Sequence, residues 1–467
     1  MPTSSSRFTR ISIYLGLCWI YTCIHLDRQI LGILAESVKS DLHISDAALG
    51  ALTGSAFAIV YALLGLYFGR LADLSTRLHL VRIGAFIWSL ASIGAAFAND
   101  YAALVIARAG VAAGEAVATA AAISLMADLA GERNLSRASS VFFACGFMGA
   151  GLAAVLGGAV IHWFAADSGM GWRAALVAAG IPGLIGVVYL SAFRFADGSR
   201  PPMTRDLVNL SHHWPLLLAA VLAVIAQMRL TPNQGVPAAV MIAGVAAVAW
   251  ARGLLLEDPA AFRATLGNAS FRWLLLAFAA VLFMDFAASF WLIPLALRNY
   301  GLSAQLAGAE LGGLIIIGGI AGSLLGGWIA DRWHLRTSAG RVWTVVIAVL
   351  LEALAICMAT QATAYPAFRL AFGVFCLASG GWTGVAAALG MDLVPRLHRG
   401  TGIAIYFLVT TLLGPGLGAW AGGALGEWLG SLSHALVLCT AMAILAVASF
   451  VKLAHAVTRT PPIWECL

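Results

Sequence analysis

The chain has 467 residues, of which 61% are hydrophobic and only 10% are charged. A soluble domain carries about 25% charged residues, so this composition excludes a soluble globular domain and predicts a polytopic membrane protein. The formal net charge of +6 does not predict a nucleic-acid partner, because the basic residues are dispersed over the loops between apolar segments.

Twelve apolar segments are long enough to cross a bilayer as helices, at about 20 residues per span, so we expect an all-α protein. They lie at 9–36, 47–72, 78–98, 101–128, 138–165 and 172–193, and then at 270–298, 304–330, 342–361, 365–393, 400–427 and 433–455. Two shorter apolar stretches, Trp214–Met228 and Gly235–Ala251, separate these two sets of six. They predict either an inserted two-helix hairpin, which gives fourteen spans, or a pair of interfacial helices, which leaves twelve.

This pattern predicts three regions. They are an N-terminal six-helix half over 1–198, a central linker with the apolar hairpin over 199–267, and a C-terminal six-helix half over 268–467. The first apolar segment is already a full span, so we expect no cleavable signal peptide. With the N-terminus inside, most of the 27 Lys and Arg residues fall in cytoplasmic segments. Both termini are therefore expected in the cytoplasm, in a bacterial inner membrane.

The two halves are related by an internal repeat. Gly149–Gly158 matches Gly414–Gly423 at six of ten positions without gaps, and Gly69–Asp73 shares its Gly, Ala and Asp with Gly327–Asp331. Small residues let helices pack at close backbone distance, so we interpret these glycines as packing positions rather than ligand contacts. Two six-span halves joined by a long central segment resemble the plan of the major facilitator superfamily, whose halves are parallel repeats.

Four charged residues lie inside predicted spans of the first half: Asp27, Arg28, Arg108 and Glu115. Each costs roughly 2.5–3.5 kcal/mol at the bilayer centre on insertion scales, so such residues usually serve a polar cavity, a partner or a ligand. Arg108 and Glu115 are seven residues apart, which places them on one helix face. The four together indicate a transport or proton-relay site.

The loop from Gly69 to Arg77 resembles the signature that the major facilitator superfamily carries between its second and third helices. Asp331-Arg332 repeats part of it in the second half. The resemblance implies that Gly69, Asp73, Arg77, Asp331 and Arg332 gate and brace the cytoplasmic ends of neighbouring helices rather than contact the substrate.

Further elements of the first six spans also match one family, and the second half matches it only loosely. These elements are His25-Leu-Asp27-Arg28, Asp46, Leu49-Gly50, Trp88-Ser89, Arg108, Gly114-Glu115-Ala116, Ser124, Asp128, Gly171-Trp-Arg-Ala-Ala175 and Gly180-Ile-Pro-Gly183. They resemble the Spinster family of lysophospholipid and sphingolipid transporters. Related organic-anion symporters share the Asp-Arg and Arg…Glu elements, so an organic-anion cargo stays open as well.

The resemblance implies a central cavity lined by spans one and four, where the four charges can meet. We expect Arg28 or Arg108 to bind an anionic or zwitterionic head group, because a guanidinium contacts phosphate or carboxylate in a bidentate way. Asp27 and Glu115 are predicted proton acceptors, since protonating a carboxylate releases its arginine for the substrate. The alternative is a static ion-pair network that holds helices one and four together.

The second half offers fewer charged candidates. Asp285 lies in span seven and is predicted either to face the substrate or to serve as a local helix partner. Trp291 lies near Asp285 and is a predicted substrate contact, and Trp382 and Tyr406 are predicted to line the path of an acyl chain. Glu352 lies within span nine, and the sequence assigns it no role.

These observations favour a secondary active transporter that works by alternating access, is coupled to protons, and carries a lysophospholipid or sphingoid amphiphile. A symporter or exporter of a small organic anion or a drug is the alternative, and a non-transporting membrane receptor is a weaker one. A closed polar pocket would favour the small anion, and a cavity open sideways to lipid the amphiphile.

No enzyme activity is expected, because the sequence shows no nucleophile–base pair and no phosphate-binding loop. The seven cysteines show neither CxxC spacing nor histidine partners, so no metal site, cofactor or disulfide framework is predicted. The expected partners are the substrate, protons and membrane lipid, with a monomeric protein and no nucleic acid.

Overall fold

The computed structural model describes residues 7–74, 76–130, 135–164, 168–193, 214–395 and 398–459. Within these ranges every regular element is a helix, with no β-strand, which confirms the all-α prediction. The helices before the central linker are α1 (Arg7–Leu42), α2 (Asp46–Thr53), α3 (Ser55–Leu74), α4 (Arg77–Ala95), α5 (Tyr101–Ala130), α6 (Leu135–Trp163) and α7 (Ser168–Ser191). The next are α8 (Trp214–Arg229), α9 (Pro232–Glu257), α10 (Pro259–Ala264), α11 (Ala269–Tyr300) and α12 (Ala304–His334). The last are α13 (Gly340–Gln361), α14 (Tyr365–Asp392), α15 (Arg399–Leu413), α16 (Pro415–Leu429), α17 (Leu432–Cys439) and α18 (Met442–Arg459).

Twelve segments of the described chain are long and apolar enough to cross a membrane, and they are not the twelve spans that the sequence predicts. Helix α9 is among them, whereas α1 is not, because its middle carries His25, Asp27 and Arg28 and is therefore less apolar. Helix α8 has 16 residues, which rise roughly 24 Å against a hydrocarbon core of about 30 Å. The inserted hairpin therefore stays a prediction.

The helices form two compact units. One unit contains α1, nearly all of α3, α4 to α8, and the N-terminal parts of α9 and α12. In it α1 packs against α5, α6 and α7, and α4 packs against α5 and α7. The other unit contains α2, α10, α11, α13 to α18 and the remainders of α9 and α12. In that unit α11 packs against α16 and α18, and α13 against α14.

Glycines of the internal repeat lie where helices approach each other at backbone distance, as the sequence predicts. A Cβ at Gly158 of α6 would lie 2.3 Å from the carbonyl oxygen of Ala304, at the start of α12. At the equivalent Gly423 of α16 it would lie 2.4 Å from the carbonyl oxygen of Asp46, at the start of α2. Real Cβ atoms do not come this close, so both crossings require glycine.

Candidate functional site

The four buried charges of the first unit form two ion pairs between α1 and α5. Arg28 Nε donates to Glu115 Oε2 at 2.5 Å, and Arg108 Nη1 donates to Asp27 Oδ2 at 3.2 Å. The neighbouring residues of α1 thus contact residues two turns apart on α5. The structure therefore brings all four predicted residues together.

Accessibility separates the two pairs. The side chains of Glu115 and Asp27 are 0% and 1% exposed, and that of Arg108 is 5% exposed. The side chain of Arg28 is 23% exposed. Arg28 is therefore the charged group of this cluster that a ligand can reach first.

The pairs also differ in how completely their atoms are satisfied. Asp27 accepts hydrogen bonds from Arg108 and from the hydroxyl of Ser92 on α4. Glu115 Oε1 and Arg28 Nη2 are buried, and within the described structure neither makes a hydrogen bond. A buried polar atom left without a partner costs about 1–3 kcal/mol, so the Arg28–Glu115 pair retains capacity for a further donor and acceptor.

Two aromatic residues of α3 flank the arginines. The Arg28 guanidinium lies 4.9 Å from the ring centroid of Phe57 and 4.6 Å from that of Tyr61, and Arg108 lies 5.3 Å from Phe57. Such distances are typical of cation–π contacts. Phe57 and Tyr61 are not among the predicted site residues, although their spacing of four places both on one helix face.

The Gly-Trp-Arg element of the first half fastens the C-terminal end of α1. Asp41 accepts hydrogen bonds from Trp172 Nε1, at 3.1 Å, and from Arg173 Nη1. Arg173 also donates to the Ala98 carbonyl at 3.1 Å and lies 4.2 Å from the Trp172 ring. The bond from Arg173 is the main cause that lowers the pKa of Asp41 below its ordinary value.

In the second unit, Asp285, Trp382 and Tyr406 lie in one region. Asp285 accepts a hydrogen bond from Ser379 Oγ at 2.7 Å. Trp382 and Tyr406 both contact the ring of Phe278, with centroids 6.1 Å and 5.7 Å away. Trp382 and Tyr406 therefore flank Phe278, which lies two turns before Asp285 on α11, and the contact of these residues with substrate stays a prediction.

Trp291 lies apart from that region, although it shares α11 with Asp285. It is fully buried, and its Nε1 donates to the Ala419 carbonyl of α16 at 2.7 Å. This contact fastens α11 to α16. A role for Trp291 in substrate binding likewise stays a prediction.

The gating residues whose side chains are described link the ends of successive helices. Arg77, at the start of α4, pairs with Asp128 near the end of α5. Asp331 of α12 pairs with Arg341 of α13 at 3.1 Å. Both pairs brace helix ends, although Asp128 and Asp331 are largely exposed, and exposed pairs contribute only about 0–1 kcal/mol each.

The remaining gating candidates are Arg332, Gly69 and Asp73. Arg332 lies 5.3 Å from the Trp328 ring of its own helix. Gly69 and Asp73 fall in α3, but their side chains lie outside the part of the chain that the structure describes. Among the described residues, no group of three His, Cys, Asp or Glu side chains is placed to hold a metal ion.

An ion pair that the sequence does not predict joins α2 to α11 in the second unit. Arg298 binds Asp46 in a bidentate way, with N–O distances of 2.7 Å and 2.8 Å. Glu427 of α16 accepts the backbone N–H of Ala47 at 2.8 Å. The first turn of α2 is therefore held by one arginine and one carboxylate. These residues are 252 and 380 positions apart, so no local pattern predicts their contact.

Comparison with known proteins identifies the family. Residues 17–339 match the family model of the Major Facilitator Superfamily. An MFS-type efflux pump of Mycolicibacterium smegmatis is 27% identical over 337 residues, which are 72% of this chain and 66% of that protein. A gallate transporter of Pseudomonas putida is 28% identical over 88% of this chain and 85% of its own length.

Two findings concern the Spinster family. Protein spinster homolog 1 of Rattus norvegicus is 31% identical over 161 residues, which are 34% of this chain and 30% of that protein. A solved structure of a bacterial homologue of the human lysosomal transporter Spinster, in an inward-facing and unoccupied conformation, is similar with a TM-score of 0.74. It is 20% identical and covers 98% of this chain and 100% of its own, so it shows the fold. The resemblance to Spinster is thereby confirmed.

Proposed function

Because this chain belongs to the major facilitator superfamily, we propose that it is a proton-coupled secondary transporter that works by alternating access. We propose a lysophospholipid or sphingoid amphiphile as its cargo. The observation that supports the coupling is the Arg28–Glu115 pair, in which a reachable guanidinium is bound to a fully buried carboxylate. In this arrangement a proton and Arg28 compete for Glu115, and Glu115 and an anionic group compete for Arg28.

The proposed exchange has two states. When Glu115 is ionised, it holds Arg28 through a charge-assisted hydrogen bond. When Glu115 takes up a proton, the attraction falls and the Arg28 guanidinium is released for phosphate or carboxylate. Proton and substrate therefore bind together, and the mechanism is a symport. The coupling is reciprocal, since a ligand that binds better to the protonated state must favour proton binding.

The second pair has a different part in this proposal. Asp27 is held by both Arg108 and Ser92, so its protonation breaks more contacts than that of Glu115. We therefore assign the principal proton exchange to Glu115. Arg108 and Asp27 position α5 against α1 and serve as secondary head-group and proton sites.

The aromatic surroundings support an amphiphilic cargo. Phe57 and Tyr61 lie against the faces of the arginines, so a head group bound to Arg28 would have apolar rings beside it. Protein spinster homolog 1 of Rattus norvegicus, which is similar over 161 residues of the chain, further supports this cargo class. Trp382 and Tyr406 are the proposed contacts for the acyl chain, and Trp291 is a further proposed substrate contact.

A small organic anion is the second candidate. A guanidinium beside Tyr61 also suits an aromatic carboxylate, which could stack on the ring while it binds Arg28. The likeness to a gallate transporter extends over 88% of this chain, whereas the likeness to Spinster homologue 1 extends over 34%. This breadth is the observation that favours the alternative.

Twelve apolar segments of the described chain, together with the family, indicate an integral membrane protein. We further propose that it is a monomer of the bacterial inner membrane with both termini in the cytoplasm. Labelling of single cysteines introduced near either terminus, in intact and opened cells, tests the orientation.

Ligand-induced thermal stabilisation of the purified protein distinguishes the two cargo classes. The probes are a lysophosphatidylethanolamine below its critical micelle concentration, sphingosine, and gallate. We expect the lysophospholipid to raise the melting temperature of the wild type and of Arg7→Ala, a control that removes an exposed charge from the same helix. We expect Arg28→Ala to lose this shift. Stabilisation by gallate alone would transfer the proposal to small organic anions.

A further inference from the structure

The second unit contains two buried acidic side chains beside each other, Asp285 of α11 and Glu352 of α13. Both lie near the middle of their helices. Helix α14 donates one hydrogen bond to each, from Ser379 Oγ to Asp285 Oδ1 and from Trp382 Nε1 to Glu352 Oε2, both at 2.7 Å. The proposed exchange at Arg28 does not use this group.

The residues that bind the two carboxyl groups, Ser379 and Trp382, are three positions apart on α14, so both carboxyls lie at one face of that helix. Glu352 is fully buried and Asp285 is 8% exposed. Glu352 Oε1 is buried and receives a hydrogen bond from no donor in the described structure. Two ionised carboxylates on one helix face repel each other and cannot form a hydrogen bond, because both are acceptors only. A single proton between them removes the repulsion and supplies the missing donor.

Among the described residues, the side chains that bind the pair are Ser379 and Trp382, and neither is basic. The groups that act on Asp285 and Glu352 in the described structure are Ser379, Trp382 and the two carboxyls themselves. The other titratable groups that face this region are the Cys376 thiol of α14 and, across Phe278, the Tyr406 hydroxyl of α15. Neither carries a positive charge. Of the described Lys, Arg and His on the helices packed around the pair, none is among the groups that act on it.

The internal repeat makes the contrast with the first unit direct. Asp285 follows Asp27 by 258 residues, the same separation as that between Asp73 and Asp331 in the repeated loop. In the first unit Asp27 is neutralised by Arg108 of α5. In the second unit the equivalent acid meets a hydroxyl of α14 and a second acid. The second unit therefore contains the acid equivalent to Asp27, but this acid lies beside a second carboxyl group, whereas Asp27 lies beside the Arg108 guanidinium.

We propose that Asp285 and Glu352 form a second proton-binding site, in which the two carboxyls share one proton. The proton enters and leaves through Asp285, since that residue alone of the two retains exposed surface. One carboxyl donates its O–H to the other, and no covalent bond other than O–H changes. The inference rests on the proposed function only for its use in transport, where it gives each unit a proton site.

Infrared spectroscopy of the purified full-length protein, at neutral pH and without substrate, tests the site directly. The readout is the carbonyl stretch of protonated carboxyl groups. We expect the wild type to show one more protonated carboxyl than Glu352→Gln. The glutamine keeps an oxygen for Trp382 Nε1, and its amide supplies Asp285 with the donor that the proton provides. The variant should therefore fold as the wild type does, which its elution profile and melting temperature check.

Two further variants make each outcome decisive. Glu257→Gln removes an exposed carboxyl at the end of α9, and its spectrum should match that of the wild type. Asp285→Asn combined with Glu352→Gln should match Glu352→Gln alone. If Glu352→Gln leaves the band unchanged, the site does not exist as proposed. If only the double variant loses the band, the proton belongs to Asp285 and is not shared.

This measurement is independent of transport. Suppose that the infrared band is lost in Glu352→Gln but that the rate of substrate uptake does not change with a pH gradient. This result would refute the proposed function and would support the proton site. Uptake driven by a pH gradient, together with an unchanged band, would refute the proton site alone.

Discussion

Replacing Glu115 with glutamine separates the charge of this residue from its shape. The glutamine amide oxygen can still accept the hydrogen bond that Arg28 Nε now donates to Glu115 Oε2 at 2.5 Å. The negative charge is lost, and with it the ability to take up a proton. Since Glu115 is completely buried, solvent does not screen the charge that the substitution removes. Glu115→Gln therefore imitates the protonated carboxyl permanently.

The size of the effect follows from the hydrogen bond that changes. A hydrogen bond to a charged group contributes about 1.5–3 kcal/mol and a neutral one about 0.5–1.5 kcal/mol. The hydrogen bond between residue 115 and Arg28 should therefore be weaker in the variant by about 1–1.5 kcal/mol, which is the difference between these two ranges. The substrate must replace this hydrogen bond to bind the Arg28 guanidinium. Its affinity should therefore rise roughly tenfold in the variant, at 1.4 kcal/mol per factor of ten.

Binding should be measured on purified wild type and Glu115→Gln at an acidic and an alkaline pH. In the wild type we expect affinity for the anionic substrate to increase as the pH falls, because protonated Glu115 no longer competes for Arg28. In the variant, affinity should be high and nearly equal at both pH values. Wild-type affinity that does not change with pH, or a variant that keeps the full pH dependence, would refute this reasoning.

Three other outcomes follow from the described contacts. Asp27→Asn should destabilise the protein by about 3–5 kcal/mol, because it leaves Arg108 buried without an anion, and adding Arg108→Met should restore most of the melting temperature. A melting temperature unaffected by Asp27→Asn would contradict the pairing. Gly50→Ala places a Cβ 2.3 Å from a carbonyl oxygen of α16 and should cost about 1–3 kcal/mol of stability. Gly65→Ala, whose Cβ meets nothing within 4 Å, should not, so equal melting temperatures would count against the close helix crossing. Asp41, beyond the predicted first span, has a lowered pKa, so its contribution to stability is present above the ordinary carboxyl value and is lost as the pH falls through the lowered one. Asp41→Asn should therefore flatten the acid side of the melting-temperature profile, and an unchanged acid limb would show that the contact is not stabilising.

The sequence was informative wherever a single helix contains the signal. The seven-residue spacing of Arg108 and Glu115 places both on one face of α5, and the structure shows both bound to α1. The repeat glycines predict close helix crossings for the same reason, because small residues on one helix face can be recognised within a single segment of sequence. The all-α class follows from the lengths of the apolar segments.

What the sequence could not provide is the pairing between distant helices. Whether Arg28 binds Asp27, a helical neighbour, or Glu115 depends on the rotation of α1 against α5, which no local pattern encodes. Asp46 and Arg298 lie 252 positions apart, and their contact exists only once α2 packs beside α11. Glu352 received no role because one acid in an apolar span shows neither its partner nor the lack of a cation.

Proton movement during transport in sealed vesicles tests the Arg28–Glu115 exchange most directly. Vesicles containing the protein and a pH-sensitive dye, with no pH gradient imposed, receive a lysophospholipid on the outside. We predict that the interior acidifies with the wild type as substrate and proton enter together, and that Glu115→Gln produces no acidification. Lysophospholipid entry without acidification in the wild type, or undiminished acidification with Glu115→Gln, would contradict the proposed coupling.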